Sequence, residues 1–541
     1  MEAVNIQPRI AERSTSFSVA DPATGEKLSE YPLFGPAEVD KAIAEAREAF
    51  PKWARIPFSQ RERIFYRAAS LLAEKADHVA RVISSETGKT RLDALLAEIF
   101  PTCDLLRFYG RKAERFLRPV RVAGSPVLPG RKAYYTFEPR GVVAVIAPWN
   151  YPFTLASGPV LSALAAGNSV VLKPSSQTTA SGEILKEILV AAGLPPQALQ
   201  IVTGSGSVTG KALIENPGLD MIVFTGSTSV GIEVSQAAAK NLIPTVLELG
   251  GKDAMIVTAK ADLDRAAHAA VWGAFFNSGQ TCTGVEFCFV EKGCYERFLA
   301  KVLEITRQLS SGTSPGQIGS MTMESQLRTV EEQIADAVAK GAIVHTGGKR
   351  RSNSKGLFFE PTVLTGIRPD MKIWQEETFG PVLPIVPYET AEQALAMANS
   401  TSYGLSGSVF SLDLDEARWF ASRMITGSVN INDCLVTFAF PSLPFGGVKK
   451  SGLSFYHGKE GLRNFCRVKA VTEFKGLYAR EFFHYPVAAQ AEANLKGLLR
   501  LLYGQGLRSR VRGFPAVWRI ASGVVRQAIS RRRAANPQSA A

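Results

Sequence analysis

One thiol, one carboxylate and one side-chain amide stand out in this chain as a set that could do covalent chemistry on a carbonyl. The thiol is Cys282, in the run Asn277-Ser278-Gly279-Gln280-Thr281-Cys282-Thr283-Gly284, between two hydroxyl residues and bracketed by glycines. The carboxylate is Glu248, in Leu247-Glu248-Leu249-Gly250-Gly251-Lys252, and the amide is Asn150, in Pro148-Trp149-Asn150-Tyr151-Pro152. A thiolate adds to a carbonyl carbon, a carboxylate takes a proton from water, and an amide donates to the oxyanion formed between. Each also has an inert reading. A free cysteine is commonly buried and unreactive. An Asn before an aromatic–Pro pair commonly makes a turn, and a glutamate at a strand end commonly faces water. The two glycines after Glu248 allow close backbone approach, which suits a site better than a surface.

Elements that could position these groups follow from the apolar pattern. Residues 36–118 read as helices, starting near Pro36. From residue 141 the texture changes to short apolar runs separated by helix-length segments. Gly141–Ala147, Ser169–Lys173 and Met221–Phe224 read as buried strands, and a second series runs from Val257 through Gly427–Asn432. Strands alternating with helices imply βαβ units and parallel sheets, hence two α/β halves with a cleft between them. Phe224-Thr225-Gly226-Ser227-Thr228-Ser229-Val230-Gly231 reads as strand, tight turn and helix start. Such a helix end offers unpaired N–H groups to a pyrophosphate. It lacks the Gly-x-Gly-x-x-Gly spacing of ordinary dinucleotide folds and is a weak signal by itself.

Taken together, from about residue 20 to about residue 475, the order and spacing of these segments resemble the aldehyde dehydrogenase superfamily. The resemblance implies an α/β fold: a Rossmann-like cofactor-binding domain, an α/β catalytic domain and a small β oligomerisation excursion. The corresponding boundaries are 1–118 with 140–250, then 251–450, then 119–139 with 462–475, followed by an extension over 476–541. It assigns Cys282 as nucleophile, Glu248 as general base and Asn150 as oxyanion donor. Cofactor contacts fall on Ile146, Pro148, Trp149, Lys173, Ser175, Ser176, Gly206, Gly210, Phe224, Gly226, Ser227, Gly231, Leu249, Gly250, Glu377 and Phe379. The last two come from Glu376-Glu377-Thr378-Phe379-Gly380-Pro381, and Pro444–Gly452 matches a structural segment. The resemblance implies NAD or NADP as cofactor, an aldehyde as substrate and a homodimer or homotetramer. Relatives that acylate coenzyme A commonly lack the glutamate, so Glu248 favours hydrolysis to the free acid. The rivals are a coenzyme A-acylating enzyme and a catalytically idle member that serves as a binding protein.

The chain departs from that pattern in three places. Many NAD-dependent relatives read Lys-Pro-Ser-Glu where this chain has Lys173-Pro174-Ser175-Ser176, which removes a carboxylate that would repel a 2′-phosphate. NADP is therefore expected to be tolerated. Some relatives carry a proton-relaying glutamate where this chain has Tyr456, followed by His457, which reads as a packed or solvent-facing residue. Leu435, Phe438 and Phe440 lie in the expected substrate loop, with Phe153 beyond Asn150. These four side chains imply an apolar aldehyde, long-chain or aromatic.

The third departure is the tail. Residues 476–541 hold eleven Lys/Arg against two Asp/Glu, so most of the net charge of +13 lies there. Leu495, Leu498, Leu499 and Leu502 fall at helical spacing, as do Phe514, Val517, Trp518, Ala521, Val524, Val525, Ala528 and Ile529. Two basic amphipathic helices are expected, with breaks at Gly504, Gly506 and Gly513-Phe514-Pro515. They would lie on an anionic membrane surface or dock on the enzyme. Because the excess charge belongs to the tail and the body is near neutral, no nucleic-acid partner is expected. The six cysteines form no Cys-x-x-Cys pair and lack a His cluster, so neither a disulfide framework nor a metal site is expected. The N-terminus lacks the apolar run of a secretory signal. No apolar run is long enough for a transmembrane helix. A cytoplasmic chain is the resulting expectation, membrane-associated if the tail lies on lipid and not if it docks on the enzyme.

Overall fold

The computed structural model describes residues 15–535 apart from 126, 127, 129, 313–316, 353 and 477. Contacts divide the chain into two compact units. The first, ending at Leu117 and resuming over Glu138–Arg467, holds an antiparallel pair, Ser16–Ala20 with Lys27–Pro32, and two larger sheets. One has the strand order Gly452–Leu453, Thr245–Glu248, Met221–Thr225, Val142–Ile146, Ser169–Lys173, Leu199–Ile201. Its pairs are parallel except that Gly452–Leu453 runs antiparallel to Thr245–Glu248. Val142, Val143, Ala144, Val170, Val171 and Ile222 are fully enclosed, because helices cover both faces of a doubly wound sheet. Strand order reverses between Val142–Ile146 and Met221–Thr225, and ligands of such sheets bind beyond the carboxyl ends at that switch. Ile146, Lys173, Thr225 and Glu248 are the residues at those ends.

The second sheet orders Ile343–Thr346, Thr362–Thr365, Val382–Tyr388, Val285–Glu291, Asp253–Val257, Gly407–Phe410 and Asn430–Ile431. Only the Ile343–Thr346 edge is antiparallel among these pairs. Cys282 lies just before the start of Val285–Glu291.

The helical region expected over 36–118 is present, with one irregularity. Arg91–Ala94 is α-helical, Leu95–Ile99 is a π-helical turn, and Phe100–Phe116 is α-helical again. Pro101 has no N–H to give one turn back, and the Phe100 N–H reaches Leu95 O instead.

The second unit comprises Arg118–Phe137 and the chain from Val468 onward. The excursion strands Val120–Val122 and Arg131–Pro139 pair in a sheet with Cys466–Phe474. The excursion and the tail thus share one unit. Arg131 pairs with Glu481 inside it. The tail forms helices Ala491–Tyr503 and Leu507–Ala535. The break falls at Gly504–Gly506 alone. Gly513-Phe514-Pro515 does not interrupt the second helix, because Gly513 serves a close approach: a Cβ there would lie 2.3 Å from Gly497 O. The apolar face expected on this helix is also split. Ala516 is buried and Val517, Ile520, Val524 and Ala528 are half-buried, whereas Phe514, Trp518, Val525 and Ile529 face outward.

Candidate active site

The thiol loop is built from strained backbone. Asn277, Ser278 and Gly279 have φ of 53°, 58° and 72°, three successive left-handed residues. At Gly279 a Cβ would sit 2.0 Å from Gly380 O, so only glycine fits. Gln280 fixes the loop, its Nε2 donating to Asn277 O at 3.1 Å and its Oε1 accepting from Thr322 N at 2.9 Å. Cys282 is half-buried. Burial, then the nearby carboxyls of Glu377, Asp253 and Glu248, push its thiol well above the ordinary range. The resting group is therefore a thiol that must lose a proton before it can attack.

Glu248 ends its strand 2 % exposed, and neither carboxylate oxygen has a hydrogen-bond partner among the described residues. Burial raises its pKa well above the usual glutamate value. A Cβ on Gly251 would lie 2.3 Å from Cys282 O, so the glycines after Glu248 let its loop meet the thiol loop. The Asn150 amide donates to Gln280 O at 3.1 Å. Cys282, Glu248 and Asn150 line one cavity of about 710 Å³.

That cavity also contains Pro148, Trp149, Gly226, Ser227, Leu249, Gly250, Glu377 and Phe379. Glu377 accepts from Gly251 N at 3.0 Å, and Phe379 packs edge-on against Trp149 at 5.5 Å. Glu286 holds this stretch by accepting from Thr378 N at 3.0 Å and Phe379 N at 2.9 Å, with Lys252 as its counter-ion at 2.6 Å. A second cavity of about 1430 Å³ is lined by Ile146, Lys173, Gly206, Gly210 and Phe224, together with Lys211 and Lys240. Burial lowers Lys173 to about 8. Helix Thr228–Ala239 begins at Ser227 without a side-chain cap, leaving its first N–H groups free to meet an anion. These residues fit a dinucleotide. Gly231, Ser175 and Ser176 line neither cavity. Gly231 instead makes room for Leu249, whose Cδ2 would be 2.4 Å from an added Cβ, and Ser175 accepts from Gln177 N in the turn after Lys173.

On its other side Cys282 opens into a cavity of about 760 Å³ lined by Leu435, Phe438 and Phe445, by Trp272 and Phe276, and by Leu96, Ala97 and Pro101 of the irregular helix. None of its lining residues is charged. Two expected wall residues are elsewhere. Phe153 is fully buried at the start of helix Thr154–Ala166, where Glu98 accepts its N–H at 2.7 Å. Phe440 is 53 % exposed beyond the turn Val436–Ala439. The helix residues went unnoticed because Leu92, Leu96 and Phe100 have the spacing of any buried face. Their exposure is what differs. His457 is packed and uncharged, held at about 3 by burial among Phe438, Phe445 and Tyr456.

A thiol between an apolar cavity and a dinucleotide-shaped one, with a buried carboxylate beside it, defines a class of covalent oxidoreductase. The chain belongs to the aldehyde dehydrogenase family, whose model matches residues 10–471. It is 38% identical to 4,4'-diapolycopene aldehyde oxidase of a Methylomonas species over 91% of this chain and 92% of that one. It is 39% identical to the putative succinate-semialdehyde dehydrogenase [NADP(+)] 2 of Mycobacterium tuberculosis strain H37Rv, over 85% and 89%. The fold superposes on an NAD-dependent aldehyde dehydrogenase from Sinorhizobium meliloti with a TM-score of 0.82 and 34% identity, covering 87% of this chain and 94% of that chain.

Proposed function

We propose that this chain oxidises apolar aldehydes, long-chain or aromatic, to carboxylic acids with NAD⁺ or NADP⁺. The observation that carries the reading is the uncharged cavity on one face of Cys282, with Glu248 on the other. Cys282 gives its proton to solvent water and its sulfur bonds the aldehyde carbon, while Asn150 Nδ2 and the Cys282 N–H donate to the oxyanion. Glu377 would hold the ribose of a nicotinamide cofactor in the dinucleotide-shaped cavities, which when bound would supply the acceptor for the hydride leaving that carbon. The C–H pair is thereby lost and a Cys282 thioester remains. Glu248 then takes a proton from water, whose oxygen attacks the acyl carbon. The carbon–sulfur bond breaks, and Cys282 recovers a proton as the acid leaves. The protein works as a dimer or tetramer.

A succinic semialdehyde carboxylate would be buried here without a counter-ion, whereas each buried methylene contributes about 0.8 kcal/mol. Leu92, Leu96 and Phe100 are exposed at four-residue spacing on the irregular helix, and Leu96 among them lines the cavity. Nicotinamide absorbance over a panel of aldehydes graded by length tests the reading. kcat/KM should rise with chain length, and a preference for succinic semialdehyde would overturn it. Product analysis with and without coenzyme A separates acid from thioester.

The tail supports a second part of the reading, attachment to an anionic membrane surface without crossing it. Helix Leu507–Ala535 turns Leu507, Val511, Phe514, Trp518, Val525 and Ile529 to solvent, Trp518 being 71 % exposed. It carries eight arginines and no acidic residue. Among the described residues no helix is long and apolar enough to cross a membrane. Apolar insertion and arginine attraction to acidic lipid act together on such a face. Co-sedimentation with phosphatidylserine vesicles should be lost in Phe514→Ser/Trp518→Ser and weakened by salt. Equal sedimentation of the variant and the unaltered chain would remove the membrane role.

A further inference from the structure

Behind the thiol and the oxyanion asparagine lies a buried ion pair that the chemistry above does not use. Lys89, in the turn after helix Ala76–Thr87, and Glu98, in the π-helical turn, are both enclosed, with side chains 0% exposed. Lys89 Nζ donates to Glu98 Oε1 at 2.5 Å and to Asn150 O at 2.7 Å. It also stands 4.2 Å from the centre of the Tyr151 ring. Tyr151 Oη is 2.6 Å from Thr281 Oγ1, one residue before Cys282. The other oxygen of Glu98 accepts from Phe153 N at 2.7 Å and Thr154 N at 3.3 Å, the start of helix Thr154–Ala166. Among the described residues, every hydrogen-bond partner of these two side chains is on the segment Asn150–Thr154 or within the pair itself.

We infer that Lys89 and Glu98 are positioning residues for the oxyanion donor: they clamp the segment Asn150–Thr154 from both ends and so fix where the Asn150 amide points. The inference rests on the assignment of Asn150 under the proposed function. The Asn150 backbone has two donors on its carbonyl, Lys89 and Asn277 Nδ2, the latter at 3.0 Å. Its amide is tied to Gln280 O on the thiol loop. A shift of the Asn150 backbone therefore moves the donor relative to Cys282. Displacement of about 1 Å in such a group costs about 10²-fold in rate. The Lys89 charge does not touch the reacting atoms. Its effect passes through the Asn150 carbonyl and, by way of Tyr151, through Thr281.

Breaking a buried pair from one side strands a charge, so Lys89→Met alone risks poor folding. The double variant Lys89→Met/Glu98→Gln removes both charges with little change of volume, and the amide oxygen that replaces the Glu98 carboxylate can still accept from Phe153 N. The readouts are the melting temperature and the rate of the first-turnover burst of reduced nicotinamide at saturating cofactor. The double variant should melt near the unaltered protein yet burst about 10- to 100-fold more slowly, less than the about 10²–10³ expected for removing the donor in Asn150→Ala. Adding the double substitution to Asn150→Ala should slow the burst by no more than about threefold further, since there is no donor left to misplace. A double variant with an unchanged burst, or one that slows Asn150→Ala as much as it slows the unaltered enzyme, overturns the inference. An Asn150→Ala enzyme with an unchanged burst instead overturns the assignment of Asn150, and this inference with it.

Discussion

The two cavities that meet at Cys282 are built from opposite materials. On one side are Glu248, Glu377 and Asn150, with the open start of helix Thr228–Ala239. On the other are rings and aliphatic side chains and no charge. A reaction that adds sulfur to a carbonyl, moves a hydride and then adds water needs its ionising groups where water and the dinucleotide arrive. It has no use for them along the substrate's tail. On the proposed reading, one thiol serves both halves of the cycle, and selectivity and turnover belong to different walls.

The division between the cavities explains what could be read from the sequence. The polar side was legible nearly residue by residue, because Glu377, Phe379, Glu248 and Asn150 belong to short runs whose types and order are unusual. The strands that carry them, Val142–Ile146 and Met221–Thr225 among others, were legible as bounded apolar runs. The apolar side was legible only in part. Leu435 and Phe438 line it, but Phe153 and Phe440 do not. Leu96, Ala97 and Pro101 come from a helix whose pattern looks like core until the π-helical turn beside Pro101 brings it to the cavity. Lys89 and Glu98, nine positions apart, stand in no run whose types or order mark them. Only tertiary structure encloses them. In the tail, periodicity gave helices but could not say which half of an apolar face packs inward.

The largest effect should come from Cys282, which with Leu155 is common to both cavities and is the only reactive side chain of the two. Cys282→Ala should reduce dehydrogenase turnover to background on every aldehyde, measured by nicotinamide absorbance, because the covalent route is lost whichever wall is intact. Residual turnover above a tenth of the unaltered enzyme would detach the thiol from the reaction.

Next in size is the polar wall alone. Glu248→Gln should leave the burst of reduced cofactor and slow the steady state by about 10²–10⁴-fold, the range of a lost general base. The pH dependence has a definite sign. Burial raises both Glu248 and Cys282, so each is protonated at low pH and becomes competent as pH rises. Steady-state rate should climb with pH, and the limb due to acid release should flatten in Glu248→Gln. Because its folded pKa is raised, Glu248 supports the fold in its protonated form and loses that support as pH climbs above the ordinary glutamate range. Glu248→Gln should therefore raise the melting temperature at neutral pH.

The apolar wall should show a smaller and substrate-dependent effect. Phe438 packs edge-on against Phe445 at 4.9 Å and lines the cavity. Phe438→Ala should cost about 10-fold in kcat/KM on long-chain or aromatic aldehydes, as for one to two kcal/mol of lost burial. It should leave acetaldehyde nearly unchanged. An equal loss on both would mean that the ring supports the site and does not select substrates.

The smallest effect should come from the far end of the polar side. Ser176 stands where many NAD-dependent relatives have a glutamate, and it lines neither cavity. Its half-buried position in the turn after Lys173-Pro174-Ser175 means that any carboxylate placed there acts on a 2′-phosphate through partly screened charge. Lys173, with Lys211 and Lys240 beside it, would still face that phosphate from the cavity wall. Ser176→Glu should therefore lower kcat/KM for NADP⁺ by only about threefold to tenfold while leaving NAD⁺ unchanged, since repulsion acts on the extra phosphate alone. A matching loss with NAD⁺ would mean that the substitution disturbs the turn itself. No loss with NADP⁺ would leave discrimination to the lysines that line the cavity.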